Sequence, residues 1–117
     1  MPDSSVTKVE AAYAPKGPQG QKYLAAGRAL SMRLWENEPP GEAKPAARRE
    51  YETAGYVIAG RAELTLEGQT VSLQPGSSWI VPKGAEHSYR ILEAFTAIEA
   101  TTPPAEVHER EAKQRAG

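Results

Sequence analysis

Between residues 53 and 100 the chain is a close series of short β-rich segments, each broken by glycine or proline, with no amphipathic helix between them. TAGYVIAG and RAELTLEG, residues 53–68, are the clearest: Ala62, Leu64 and Leu66 alternate with Glu63, Thr65 and Glu67, the period of a strand with one buried face. Glu67 and Gly68 turn the chain into a strand carrying Val71 and Leu73, which Pro75 and Gly76 end. Residues 78–81 make another strand, residues 82–84 a turn, and residues 87–92 and 95–100 two more strands. Upstream, Leu30, Met32 and Leu34 alternate with Ser31, Arg33 and Trp35, which reads as a half-buried strand with the aliphatic set inward, before residues 37–44, with Pro39, Pro40 and Gly41, interrupt it. A parallel sheet needs a crossover helix between successive strands, and this spacing leaves no room for one. The chain is therefore expected to be all-β, a single antiparallel barrel or sandwich.

The ends have a different composition. Residues 1–20 are rich in Pro, Gly, Ser and Ala and form a flexible N-terminal arm whose order is lent by a neighbour or by the barrel, residues 21–101 form the barrel, and residues 102–117 form a short tail. That tail has proline at a plausible helix start, but Val107 is its only sizeable apolar residue. A length of 117 residues suits one domain. The absence of cysteine excludes disulfides, thiol catalysis and cysteine-built metal sites. With 14 basic and 15 acidic residues there is no cationic excess to neutralise phosphates, so no nucleic-acid partner is expected. The first residues lack a signal-peptide pattern and no apolar run is long enough to span a bilayer, so the expectation is a cytoplasmic protein without a membrane partner.

Gly76, Pro82, Gly84 and His87 stand in the arrangement G-x5-P-x-G-x2-H, here GSSWIVPKGAEH, which resembles the second conserved motif of the cupin superfamily. YVIAG, residues 56–60, is similar to the signature that closes the first motif, whose frame can be laid on Gly41 and Gly60. The resemblance covers roughly residues 41–92 and implies a small single-domain cupin, a jelly-roll barrel. It also implies where a metal would be held, and there this sequence departs from the family: the first-motif ligand positions fall on Ala47, Arg49 and Thr53, and only His87 matches the ligand set. The asparagine that often ends the second motif is Ile91. No metal and no other cofactor are therefore expected.

The same frame points His87 into the barrel, where an imidazole can act as general base or hydrogen-bond a ligand; the competing reading is an inert, hydrogen-bonded histidine. Arg49, on a former ligand position, would repel a cation and favour a carboxylate or phosphate, unless the Arg48–Arg49–Glu50 run is simply solvated. A shifted register would bring Glu50, Glu52 or Tyr51 inward and is the one route to a metal site with His87. Tyr56, Trp79 and Tyr89 can form an aromatic wall, with Tyr89 inside by alternation from His87, Trp79 more simply in the core, and Glu86 outward. Trp35 alternates away from Met32 and Leu34 and is expected to pack on another subunit. His108, in the charged tail, is given no role.

Four functions follow. The first is a metal-independent cupin that binds a small anionic or sugar-like ligand through Arg49, His87, Tyr89 and Tyr56. The second, implied by metal-free sugar isomerases and epimerases in the family, has His87 as catalytic base on a sugar or small acid. The third is a metal-dependent oxygenase or lyase with atypical ligands. The fourth is a non-catalytic interaction or sensor module; small single-barrel cupins are generally homodimers, which is the assembly the resemblance implies.

Overall fold

The alternating segments become six antiparallel strands in the computed structural model, which describes residues 6–105. In chain order they are β1 (Lys22–Ala26), β2 (Ser31–Glu38), β3 (Glu52–Leu66), β4 (Gln69–Leu73), β5 (Ser78–Val81) and β6 (His87–Thr102). Hydrogen bonds order them β1-β2-β6-β3-β4, and β5 pairs with the first part of β3, along the edge that β4 takes further on. This is the expected all-β antiparallel barrel of jelly-roll type.

Two pairs of segments that read separately are each one long strand. TAGYVIAG and RAELTLEG run together as β3, and residues 87–102 form β6 without a break. The register between them shifts repeatedly between Val57 and Ala62, where both strands bend. Gly60 sits at that bend with φ of +83°, and a Cβ there would overlap the Ala94 carbonyl, so the residue is glycine for two independent reasons. The β3–β4 hairpin closes with Leu66 opposite Gln69 and both loop residues at positive φ, Glu67 at 46° and Gly68 at 82°, the conformation whose twist matches the strands it joins.

Inward-facing Val57, Ala62 and Leu64 of β3, Leu73 of β4, Trp79 and Val81 of β5, and Ile91, Phe95 and Ala97 of β6 form the core. Gly55 lies opposite Trp79, and any side chain there would collide with the indole, so this strand glycine makes room for the largest core residue.

The phase of β2 corrects the sequence reading. Ser31, Arg33 and Trp35 face the interior, while Leu30 and Met32 are exposed and Leu34 is buried on the opposite side. Apolar count set the phase wrongly because the interior beside β2 is polar, as described below. Part of the N-terminal arm lies against the barrel: Tyr23 donates its amide to the Pro15 carbonyl, Gly17 donates to Gln21, and Lys16 bridges to Lys22. The expected C-terminal tail, with Val107 and His108, falls from residue 106 onward outside the described residues. Among the described residues no helix is long and apolar enough to cross a membrane.

Candidate functional site

The apolar cluster does not fill the barrel. Beside it lies a cavity of about 440 Å³ whose lining shares Trp79, Ile91 and Phe95 with the core. Such a volume suits a small organic molecule, and cavities of this kind commonly combine apolar walls with a few placed polar groups.

One wall of the cavity is made by an irregular segment that the sequence marks only as a Pro/Gly-rich interruption. Residues 41–47 run beside β6, with the amides of Gly41, Lys44 and Ala47 donating to the carbonyls of Ile91, Tyr89 and His87. Further on, the Arg49 carbonyl accepts from the Gly84 amide, and the Arg48 side chain donates to the Gly84 carbonyl at 3.0 Å. The turn before β6 requires Gly84, at φ of +81°, to let Ala85 reach back to the Pro82 carbonyl. The motif's proline and glycine thus place His87 at the start of β6 and hold Arg49 beside it. Lys44, Ala47, Arg49 and Tyr51 all line the cavity, as alternation along an extended segment requires for the last three.

A buried ion pair forms another part of the wall. Arg33 of β2 and Glu99 of β6 are directly opposite in register, and Arg33 Nε donates to Glu99 Oε1 at 2.6 Å with the two side chains 10% and 3% exposed. Trp35 Nε1 donates to the same oxygen at 2.7 Å, and Arg33 Nη1 donates to the Tyr51 hydroxyl at 3.2 Å. The guanidinium also sits over the rings of Trp35 and Tyr51, 5.5 and 5.3 Å from their centroids. Burial works against the charge on Arg33, but the charge and hydrogen bond of Glu99, together with Tyr51 and Tyr89, outweigh it, so its pKa is raised and the group stays cationic.

Tyr89 is held as a neutral phenol: burial raises its pKa, the nearby Glu99 carboxylate raises it further, and its hydroxyl accepts from Trp79 Nε1 at 3.1 Å. His87 packs edge-on to Tyr89, ring centroids 5.8 Å apart. Its Nδ1 lies 3.0 Å from the Ala85 carbonyl, which can only accept, so Nδ1 carries the proton and Nε2 is the unprotonated nitrogen of the neutral ring. Burial lowers the His87 pKa; the Ala85 hydrogen bond and Glu99 oppose it, Arg49 and Arg33 add to it, and the net shift is downward.

The structure places Arg49, His87 and Tyr89 around one cavity, together with Trp79, which also belongs to the core. Tyr56 is not among them: it is 49% exposed on the outer side of β3 and does not line the cavity, because it is one residue out of phase with Gly55 and Val57. Trp35, expected at a subunit contact, instead lines the cavity and hydrogen-bonds Glu99. Glu50, Glu52 and Glu86 are exposed and Tyr51 is buried, so the register is the one that carries Ala47, Arg49 and Tyr51 inward.

That register fits a metal poorly. Beside His87 the lining offers a methyl group and a guanidinium at Ala47 and Arg49, and the Glu99 carboxylate is already engaged by Arg33. Among the described residues no group of three or more His, Asp or Glu side chains converges.

Sequence reasoning missed Arg33, Glu99 and Lys44. The signal for Glu99 is present: a lone acidic residue in the inward phase of AFTAIEATT, between Ala97 and Thr101. Pairing it with Arg33 requires the β2–β6 register, which only the fold supplies.

A model of the cupin domain matches residues 34–98. Among solved structures, KdgF from Halomonas sp. is 26% identical, with 72% of this chain and 79% of that one covered and a TM-score of 0.66. An RmlC-like cupin from Shewanella frigidimarina is 16% identical over 87% of this chain and 95% of its own, TM-score 0.75. The cupin domain of Cnp3 from Schizosaccharomyces pombe is 16% identical over 88% and 78%, TM-score 0.69. No curated protein matches the chain.

Proposed function

The chain belongs to the cupin family, and from that premise we propose that it binds a small anionic organic molecule in its barrel cavity, without a metal, with Arg49 and His87 as polar anchors. The observation that carries this reading is the cavity's charge: Arg33, Lys44 and Arg49 line it against Glu38 and Glu99, a net positive surface enclosed by Trp35, Tyr51, Trp79 and Tyr89. Arg49 lines the cavity beside His87, and its planar guanidinium suits a carboxylate or phosphate, which is why it is taken as the anchor. A position that holds a metal ligand elsewhere in the family here attracts an anion, which is why the donor set favours an organic ligand over a cation.

The test is a thermal-denaturation series with gluconate, citrate and glucose 6-phosphate on the wild type and on Arg49→Gln. A ligand that prefers the folded state at 100 times its dissociation constant adds about 2.7 kcal/mol, enough to move a melting temperature by several degrees. The expected result is a saturable rise with at least one of the three that disappears in the variant. No rise in the wild type, or an equal rise in Arg49→Gln, would remove the proposal.

A second reading, proton transfer on such a ligand, is favoured by one observation, the His87 tautomer. With Nδ1–H fixed on Ala85 and burial keeping the ring neutral, Nε2 is a base ready to take a proton next to a carbonyl. Solvent deuterium incorporated into a bound sugar acid by the wild type and not by His87→Asn is the expected sign of turnover; no incorporation beyond the uncatalysed rate leaves binding as the activity.

A further inference from the structure

Glu99 has one oxygen fully engaged and one that is not. Oε1 accepts from both Arg33 Nε and Trp35 Nε1, whereas Oε2 receives no hydrogen bond from the described residues, although the side chain is only 3% exposed and lines the cavity. A buried carboxylate oxygen without a donor is costly, and an arrangement of this kind persists where something else supplies the donor. The neighbouring Tyr89 hydroxyl accepts from Trp79 Nε1 and makes no hydrogen bond to Glu99.

We infer that Glu99 Oε2 is a second ligand subsite that accepts a hydrogen bond from a hydroxyl group, so that the cavity selects hydroxylated acids, with the acid group at Arg49 and a hydroxyl at Glu99. This rests on the anion-binding reading above and narrows its substrate class. The donor is a hydroxyl rather than an ammonium because Arg33 already neutralises Glu99; a second cation beside that guanidinium would meet repulsion, while a neutral O–H meets none. His87 lines the same cavity as Arg49 and Glu99. The surrounding rings of Trp35, Tyr51 and Tyr89 give the apolar face of such a skeleton a surface to pack on.

Calorimetric titration of the whole chain with gluconate and with hexanoate, equal in carbon number and differing in the hydroxyls, tests the subsite. A hydrogen bond to a buried charge is worth roughly 10- to 100-fold in affinity, and that is the expected preference for gluconate. In the double variant Arg33→Met/Glu99→Leu, which replaces the ion pair by apolar groups of similar size, the preference is expected to fall within about threefold. Equal affinity of the wild type for both acids would sink the Glu99 subsite while leaving the Arg49 anchor standing. A preference that survives in the double variant would place hydroxyl recognition elsewhere and sink it equally. Failure of both acids to bind the wild type would overturn the anion-binding reading and this inference with it. Should the double variant not fold, Glu99→Gln takes its place, with the gluconate preference expected to fall and an unchanged preference sinking the subsite.

Discussion

The core and the cavity of this barrel are built from the same strands and obey different rules. Along β6 the inward positions Ile91, Phe95 and Ala97 meet Val57, Ala62 and Leu64 of β3, and shape and apolar area hold them together. Two residues beyond Ala97 on the same face, Glu99 meets Arg33, and from there the contacts are directional: one carboxylate oxygen takes donors from Arg33 and Trp35, and the guanidinium reaches Tyr51. In the core a side chain can be exchanged for another of similar volume at small cost. In the cavity wall Arg33 and Glu99 depend on one another, and losing one strands the other. A sheet face that points inward is therefore not the same thing as an apolar face, and the change from one regime to the other occurs within a single strand.

Glu99→Leu should show the sharpest consequence of that difference, because it leaves Arg33 as a buried charge without its carboxylate. A loss of about 3–5 kcal/mol in urea unfolding is expected, most of it recovered in Arg33→Met/Glu99→Leu. Additive losses in the double variant would mean that the pair is not coupled as described. On the core side, Leu64→Ala should cost about 3 kcal/mol through lost burial and a cavity, with no second-site rescue from the charge network. A loss below about 1 kcal/mol would show that the cluster is looser than its burial indicates.

Trp79 belongs to both regions, in the core cluster by its ring and at the cavity by its Nε1. Trp79→Phe keeps most of the ring and removes the hydrogen bond to Tyr89, for which about 1 kcal/mol is expected. A much larger loss would assign the residue to packing alone. The smallest effect is the pH dependence of His87. Its pKa is lowered in the fold from the ordinary 6.5, so as the pH falls below that value the unfolded chain takes up the proton first. The histidine's contribution is thus present above pH 6.5 and lost as the pH falls towards the lowered value. Unfolding midpoints at pH 7.5 and 5.5 should differ less in His87→Gln than in the wild type, and equal differences would mean that the ring is not desolvated.

The fold was legible in the sequence because β3, β4, β5 and their turns carry a period of two that only one register satisfies, and because Gly60 and Gly84 stand where positive φ is needed. Half of the site was legible for the same reason: alternation from His87 and the spacing of the motif bring Arg49, His87 and Tyr89 to one cavity. Tyr56 was misplaced because an aromatic residue carries no information about phase, and Gly55 beside it, making room for Trp79, is what reveals the inward positions of β3. Arg33, Trp35 and Glu99 were hidden by the assumption that the inside of a strand is its apolar side. In β2 that assumption selected Leu30 and Met32, which the fold leaves exposed, over Arg33 and Trp35.

The central claim is that this cavity holds an organic anion where other cupins hold a metal, and a crystal structure of the protein grown with gluconate tests it most directly. The predicted result is the sugar acid inside the barrel, its carboxylate within hydrogen-bond distance of Arg49 and its chain packed against Trp35, Tyr51 and Tyr89. A cavity that holds only water at saturating gluconate, or one that holds a metal ion on His87 Nε2, would contradict the claim.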